Sequence, residues 1–156
     1  MSTTQVVAPV GGRAVPLADV PDPVFSAGMV GHGAAVDPPH EVVDAVAPAS
    51  GKLLKLMPHA YIVMTPEKVG VLVHLGLDTV QLKGDGFTAH LSQGDDVTAG
   101  QVVITYDVAS VVAKGLNPIV PVVVMDEREA GNIVPSDAVL EGAQILAGAN
   151  LFIATK

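Results

Sequence analysis

The chain has 156 residues, 49% of them hydrophobic but only 3% aromatic, and no cysteine. That is one domain with enough apolar material for a core, and it excludes disulfides, thiolate catalysis and cysteine zinc sites. Eight basic against sixteen acidic residues leave a formal charge of −8, which argues against nucleic acid or an anionic membrane and suits a basic protein partner.

In chain order, 6–10, 13–17, 45–48, 52–56, 59–64, 70–75, 79–83, 87–91, 101–106, 119–125 and 151–155 read as short strands, rich in Val and Leu and separated by Gly and Pro turns. Segments 107–115 and 126–131 are candidate helical turns, and 20–25, with two prolines, reads as a surface loop. Two corners occur twice. Ala8-Pro9, Gly12-Arg13, Val15 and Leu17 return as Ala47-Pro48, Gly51-Lys52, Leu54 and Leu56. Gly94, Val97, Ala99-Gly100 and Val103 return as Gly142, Ile145, Ala147-Gly148 and Leu151. The expected fold is an all-β, internally duplicated antiparallel sandwich or flattened barrel with few short helical turns. A flexible N-terminus, 1–5, would precede a single domain, 6–156. No apolar run reaches the ~18 residues of a membrane helix, and the first ten residues lack the basic and apolar regions of a signal peptide. A cytoplasmic protein without direct membrane insertion is expected.

Five histidines are the candidates for chemistry near neutral pH. Along 71–78, Val71, Val73, Leu75 and Leu77 form a core face, while Leu72, His74 and Gly76 form the other. If 65–68 is a four-residue hairpin loop, Met64 faces Val69 and His59 lies directly opposite His74. Two facing imidazoles suggest a zinc site or covalent chemistry at nitrogen. Zinc needs a third protein ligand, and His32, His40 and His90 are not convincingly placed, so no intrinsic metal is expected. Imidazole is a good nucleophile near pH 7, and a phosphoramidate suits onward transfer. Backbone N–H groups around Gly76 could hold phosphoryl oxygens. Asp78, ~13 Å from His74 along an extended strand, would act only if the chain turns at Gly76.

Val73-His74-Leu75-Gly76-Leu77-Asp78-Thr79-Val80-Gln81-Leu82-Lys83-Gly84 with Asp85-Gly86-Phe87 resembles the signature of the glucose-family IIA domains of the bacterial sugar phosphotransferase system. Val20 to Phe25, Gly28 to Val36, Ala47-Pro48 with Gly51, His59-Ala60 and Gly94 to Gln101 match in order. The resemblance implies a β-sandwich of the duplicated hybrid motif type, a phosphotransferase component with no cofactor. It would accept phosphate from the phosphocarrier HPr and pass it to a cysteine of a IIB domain in a IIBC permease. The sugar would be selected by the membrane-bound IIC domain. By motif match His74 would be phosphorylated at Nε2 with His59 supporting it. Gly76, Asp78 and Thr79 would form the network around the phosphate, and Asp22, Val24, Phe25, Val30 and Leu72 the docking patch, with Phe25 an exposed anchor. Met57 stands where relatives commonly carry a Thr that could support the first histidine, and the membrane-binding N-terminal tail of some relatives is expected to be absent. Two other readings are a biotinyl- or lipoyl-like carrier, which lacks its modified hairpin Lys here, and a regulatory binding protein. A regulatory partner's carboxylate could complete a zinc site with His59 and His74.

Overall fold

The computed structural model describes residues 3–155. Its strands are β1 (Thr3–Val7), β2 (Gly12–Pro16), β3 (Gly31–Asp37), β4 (Val42–Val46), β5 (Gly51–Met57), β6 (Ala60–Met64), β7 (Gly70–His74), β8 (Phe87–Ala89), β9 (Asp96–Val97), β10 (Val102–Asp107), β11 (Val120–Met125), β12 (Ile133–Pro135), β13 (Gln144–Ile145) and β14 (Asn150–Thr155). Short helices α1 (Pro23–Ser26), α2 (Val108–Ala113) and α3 (Asp137–Glu141) join them, with 3₁₀ turns at Leu17–Asp19, Thr79–Leu82 and Ala130–Asn132.

One long antiparallel sheet runs β13-β2-β3-β11-β7-β6-β5-β9, and two small sheets run β1-β14-β12 and β4-β10-β8. The long sheet keeps its order when β13 and β9, β2 and β5, β3 and β6, and β11 and β7 are exchanged, and the small sheets map onto each other. The duplication seen in the repeated corners is thus physical, and individual bonds show it. Val7 N–H donates to the Pro48 carbonyl (2.8 Å) while Val46 N–H donates to Pro9 (2.8 Å), each corner closing on the other. Gly100 N–H donates to Ala47 and Gly148 N–H to Ala8, at 2.9 and 2.8 Å. Backbone groups that a lone hairpin would leave open are satisfied across the pseudo-symmetric halves.

The period of two along the strands divides the buried residues into two clusters. The main core draws Val6, Leu53, Tyr61, Val71, Val73, Leu75, Ile104, Tyr106 and Phe152 from all three sheets. Tyr61 is fully buried yet satisfied, its hydroxyl donating to the Val46 carbonyl at 2.7 Å. The second cluster lies on the other face of the long sheet and gathers Val15, Leu17, Phe25, Ala60, Ile62, Leu72, Leu77 and Val123. His74 follows Leu72 on that second face.

Several sequence expectations shift. β1 begins at Thr3 and pairs with β14, so residues 3–5 are strand; Met1 and Ser2 lie outside the described residues. Segment 79–83 is the 3₁₀ turn Thr79–Leu82, not a strand. Thr79 and Leu82 point inward with a spacing of three, and left-handed residues Asp78 (φ 59°) and Lys83 (φ 53°) bracket the turn. The hairpin loop has five residues, because Thr65 and Val69 still bond to each other across it and Met64 faces Gly70. That moves the register by one and puts Ala60, not His59, opposite His74. β3 carries no strand signal in its sequence, because Gly31-His32-Gly33-Ala34-Ala35 lacks β-branched residues. Its smallness is a packing requirement, since a Cβ on Gly33 would collide with the Val122 carbonyl.

Candidate functional site

His74 ends β7, and the chain leaves the strand at once. Gly76 takes φ +86°, a left-handed conformation costly for any residue with a Cβ, and it is closely surrounded: an added Cβ would stand 2.6 Å from the Thr79 methyl. The turn folds the Gly76 carbonyl back onto His74 Nδ1 at 2.5 Å. A carbonyl can only accept, so Nδ1 carries the proton and Nε2 holds the lone pair. Thr79, fully buried, anchors the turn by donating to the Leu75 carbonyl at 2.8 Å.

His59 reaches the same place by another route. Met57 pairs with Ala60, so Pro58 and His59 form a two-residue turn between β5 and β6. A turn side chain is released from strand alternation, and the one-residue slip does not separate the imidazoles. Their ring centroids lie 5.1 Å apart, edge to face, and the His59 carbonyl accepts from Leu75 N–H at 2.7 Å. No ring hydrogen bond fixes His59 among the described residues.

Phe25 forms the third wall, 5.3 Å from His74 between ring centroids and tilted by 58°. It was expected at the surface, and it is not: only 7% of it is exposed. The segment is helix rather than loop. Asp22 caps α1 by accepting from Val24 N–H at 2.9 Å and Pro23 opens its first turn, turning Phe25 inward. Asp followed by Pro was the signal available in the sequence. Leu72 is buried too and Val30 half-buried, so of the expected patch only Val24 is well exposed. Exposed apolar residues in the chain segments that flank Phe25, His59 and His74 are Val24, Met29 (62% exposed), Met57 and Val80 (64%).

Burial pushes the His74 pKa below its usual 6.5, partly countered by the Gly76 bond and by the charges of Asp22 and Asp78. The chain does turn at Gly76, and the Asp78 charge is felt at His74 as a small upward pull on its pKa. His59 is lowered as well, first by burial and then by repulsion from His74. Both shifts favour the neutral imidazole. Leu75 and Leu77 N–H are already engaged by the His59 and Asn117 carbonyls, which leaves those of Gly76 and Asp78 without acceptors among the described residues.

The other histidines lie elsewhere. His32 lies on β3 over Gly28, and His40 is exposed between β3 and β4. His90 donates to the Thr105 hydroxyl (2.6 Å), which donates to Asp44 (2.9 Å). Among the described residues no group of three or more His, Cys, Asp or Glu is placed to hold a metal. Two cavities of about 580 and 720 Å³ are lined by neither His59 nor His74.

The family described as phosphoenolpyruvate-dependent sugar phosphotransferase system, EIIA 1, matches residues 4–130. The chain belongs to that family. It is 39% identical over 144 residues to the glucose-specific EIIA component of Oceanobacillus iheyensis, covering 90% of this chain and 87% of that protein. It is 42% identical over 134 residues to the mannose-specific EIIBCA component of Corynebacterium glutamicum, covering 85% of this chain but spanning only 20% of that longer protein. Its fold superposes on glucose permease IIA from Mycoplasma capricolum with a TM-score of 0.85 at 31% identity, over 98% of this chain and 96% of that one. As an EIIA domain, the chain is a phosphoryl carrier of the sugar phosphotransferase system, and the biotinyl- or lipoyl-carrier reading is not favoured. No helix among the described residues is long and apolar enough to cross a membrane.

Proposed function

We propose that Nε2 of His74 is the nitrogen that carries the phosphoryl group, taken from phospho-HPr and passed to a cysteine thiolate of a IIB domain. The observation that carries this reading is the Nδ1–H bond to the Gly76 carbonyl, which leaves a neutral imidazole with its nucleophilic lone pair on Nε2. In the first transfer that lone pair attacks phosphorus, and the bond from phosphorus to the donor imidazole breaks, its electron pair returning to the donor nitrogen. In the second, the thiolate attacks and the N–P pair returns to Nε2. Little covalent work falls to the protein beyond alignment and charge stabilisation. Phe25 and His59 pack against the ring, and the Gly76 and Asp78 N–H groups, which have no acceptor among the described residues, could serve the phosphoryl oxygens.

The exposed apolar residues Val24, Met29, Met57 and Val80 and the chain's net charge of −8 suit a partner with apolar contacts and a basic rim. A IIB acceptor accords with relatives named EIIBCA. A zinc ion at His59 and His74 would fall short of zinc's usual protein ligands unless a regulatory partner added a carboxylate, and at His74 it would compete for Nε2. Incubation with Enzyme I, HPr and labelled phosphoenolpyruvate should give one acid-labile, base-stable label. Full uptake by a His74→Ala variant, or label on Ser or Thr, would overturn the assignment.

A further inference from the structure

We propose that Tyr106, with Thr79 on the opposite side, is a positioning residue that keeps the Gly76 carbonyl aimed at His74 and thereby sets the imidazole tautomer. Its consequence for transfer rests on the reading of His74 as phosphoryl acceptor. Tyr106 lies on β10 in a small sheet, beneath the reactive face, and is fully buried. Its ring stacks on Phe87, with centroids 5.4 Å apart and planes 19° from parallel. Its hydroxyl donates to the Pro118 carbonyl at 2.9 Å. The residue before that acceptor, Asn117, takes Leu77 N–H on its own carbonyl at 2.9 Å and Ile119 N–H on its side chain at 3.0 Å. The phenol therefore holds the 117–119 segment, and that segment holds the peptide following Gly76.

Thr79 holds the peptide preceding it through the Leu75 carbonyl. The two arms meet at the glycine itself: a Cβ there would stand 2.6 Å from Thr79 Cγ2, 3.1 Å from Tyr106 Oη and 3.2 Å from the Asn117 carbonyl oxygen. With both flanking peptides tied, the Gly76 carbonyl keeps one direction, toward Nδ1. Removing the phenol hydroxyl leaves the buried Pro118 carbonyl unpaired and frees one side of the turn. A neutral imidazole that loses its Nδ1 acceptor drifts toward the Nε2–H form, which has no lone pair on the attacking nitrogen.

The test is ¹⁵N-imidazole NMR of the free protein above pH 7. Tyr106→Phe keeps the ring stack and removes only the hydroxyl. The ratio of Nε2–H to Nδ1–H at His74 should rise roughly fivefold, the worth of one hydrogen bond, and phosphoryl uptake from HPr should slow only in proportion to the Nδ1–H form that is lost. An unchanged ratio overturns the proposal however far the melting temperature falls, because a merely structural phenol would leave the tautomer alone. Should Tyr106→Phe not fold, Thr79→Val releases the other arm and is read in the same spectrum. The same rise is expected there, reversed in Thr79→Ser, and no rise again overturns the proposal. The spectrum needs no partner, so a protein that never accepts phosphate would refute the phosphoryl reading without touching this result.

Discussion

Replacing Phe25 by Ala removes a buried ring from the cluster beneath the reactive face. Phe25 is 7% exposed and packs with Val15, Leu17, Leu72 and Val123. A truncation of this kind costs roughly 3–5 kcal/mol, and the lower part of that range applies because α1 spans only Pro23–Ser26 and can partly collapse into the space. Against a typical stability of about 5–15 kcal/mol the loss is large. For a chain of this size it corresponds to a melting temperature lower by roughly 10 °C. Scanning calorimetry gives the number directly. His74 should feel the change too, since its ring loses the wall 5.3 Å away, and its imidazole protons should broaden or shift in the NMR spectrum. A melting temperature within about 2 °C of wild type would show that Phe25 is exposed, and would return it to the docking surface.

Three further outcomes follow from the site. Gly76→Ala forces a Cβ against the Thr79 methyl at a left-handed φ of +86°; thermal unfolding should show a loss of at least about 1–3 kcal/mol, with phosphoryl uptake falling sharply. His59→Gln should unfold near the wild-type temperature, because the residue is half-buried in a turn, yet exchange phosphate more slowly with HPr or IIB in stopped-flow assays. Both imidazoles have folded pKa values below the usual 6.5, so between those values and 6.5 the unfolded chain binds more protons. Stability should therefore be unaffected by these groups above about pH 7 and decline as pH falls through 6.5, until the folded values are passed. Urea titrations at several pH values should show this slope reduced in His59→Gln/His74→Gln.

The internal duplication could be read because residue types and spacing recur together, and the cross-corner bonds of Val7 and Val46 bear it out. The face assignment of Val71, Leu72, Val73 and His74 held because strand alternation is local and strict. The hairpin register did not, since a loop residue in the left-handed region (Lys68, φ 66°) lengthens the turn by one without marking the sequence strongly. Two histidines still met because His59 lies in a turn, outside the pleat that would have carried it to the other face. The alternation of Thr79, Gln81 and Lys83 mimicked a strand, but Gly76 had already broken the extended chain. Phe25 is buried because Asp22 and Pro23 start a helix where two prolines alone suggest a loop. Tyr106 was not visible as part of the site at all: its connection to His74 runs through backbone carbonyls of Pro118 and Gly76, and sequence carries no sign of those.

The most direct measurement is a ³¹P–¹⁵N correlation spectrum of the protein phosphorylated through HPr after labelling its histidines with ¹⁵N. Phosphorus should couple to Nε2 of His74, while Nδ1 of the same ring keeps its proton and its bond to the Gly76 carbonyl. Coupling to Nδ1 of His74, or to either nitrogen of His59, would contradict the central claim that the Gly76 turn selects the reacting nitrogen.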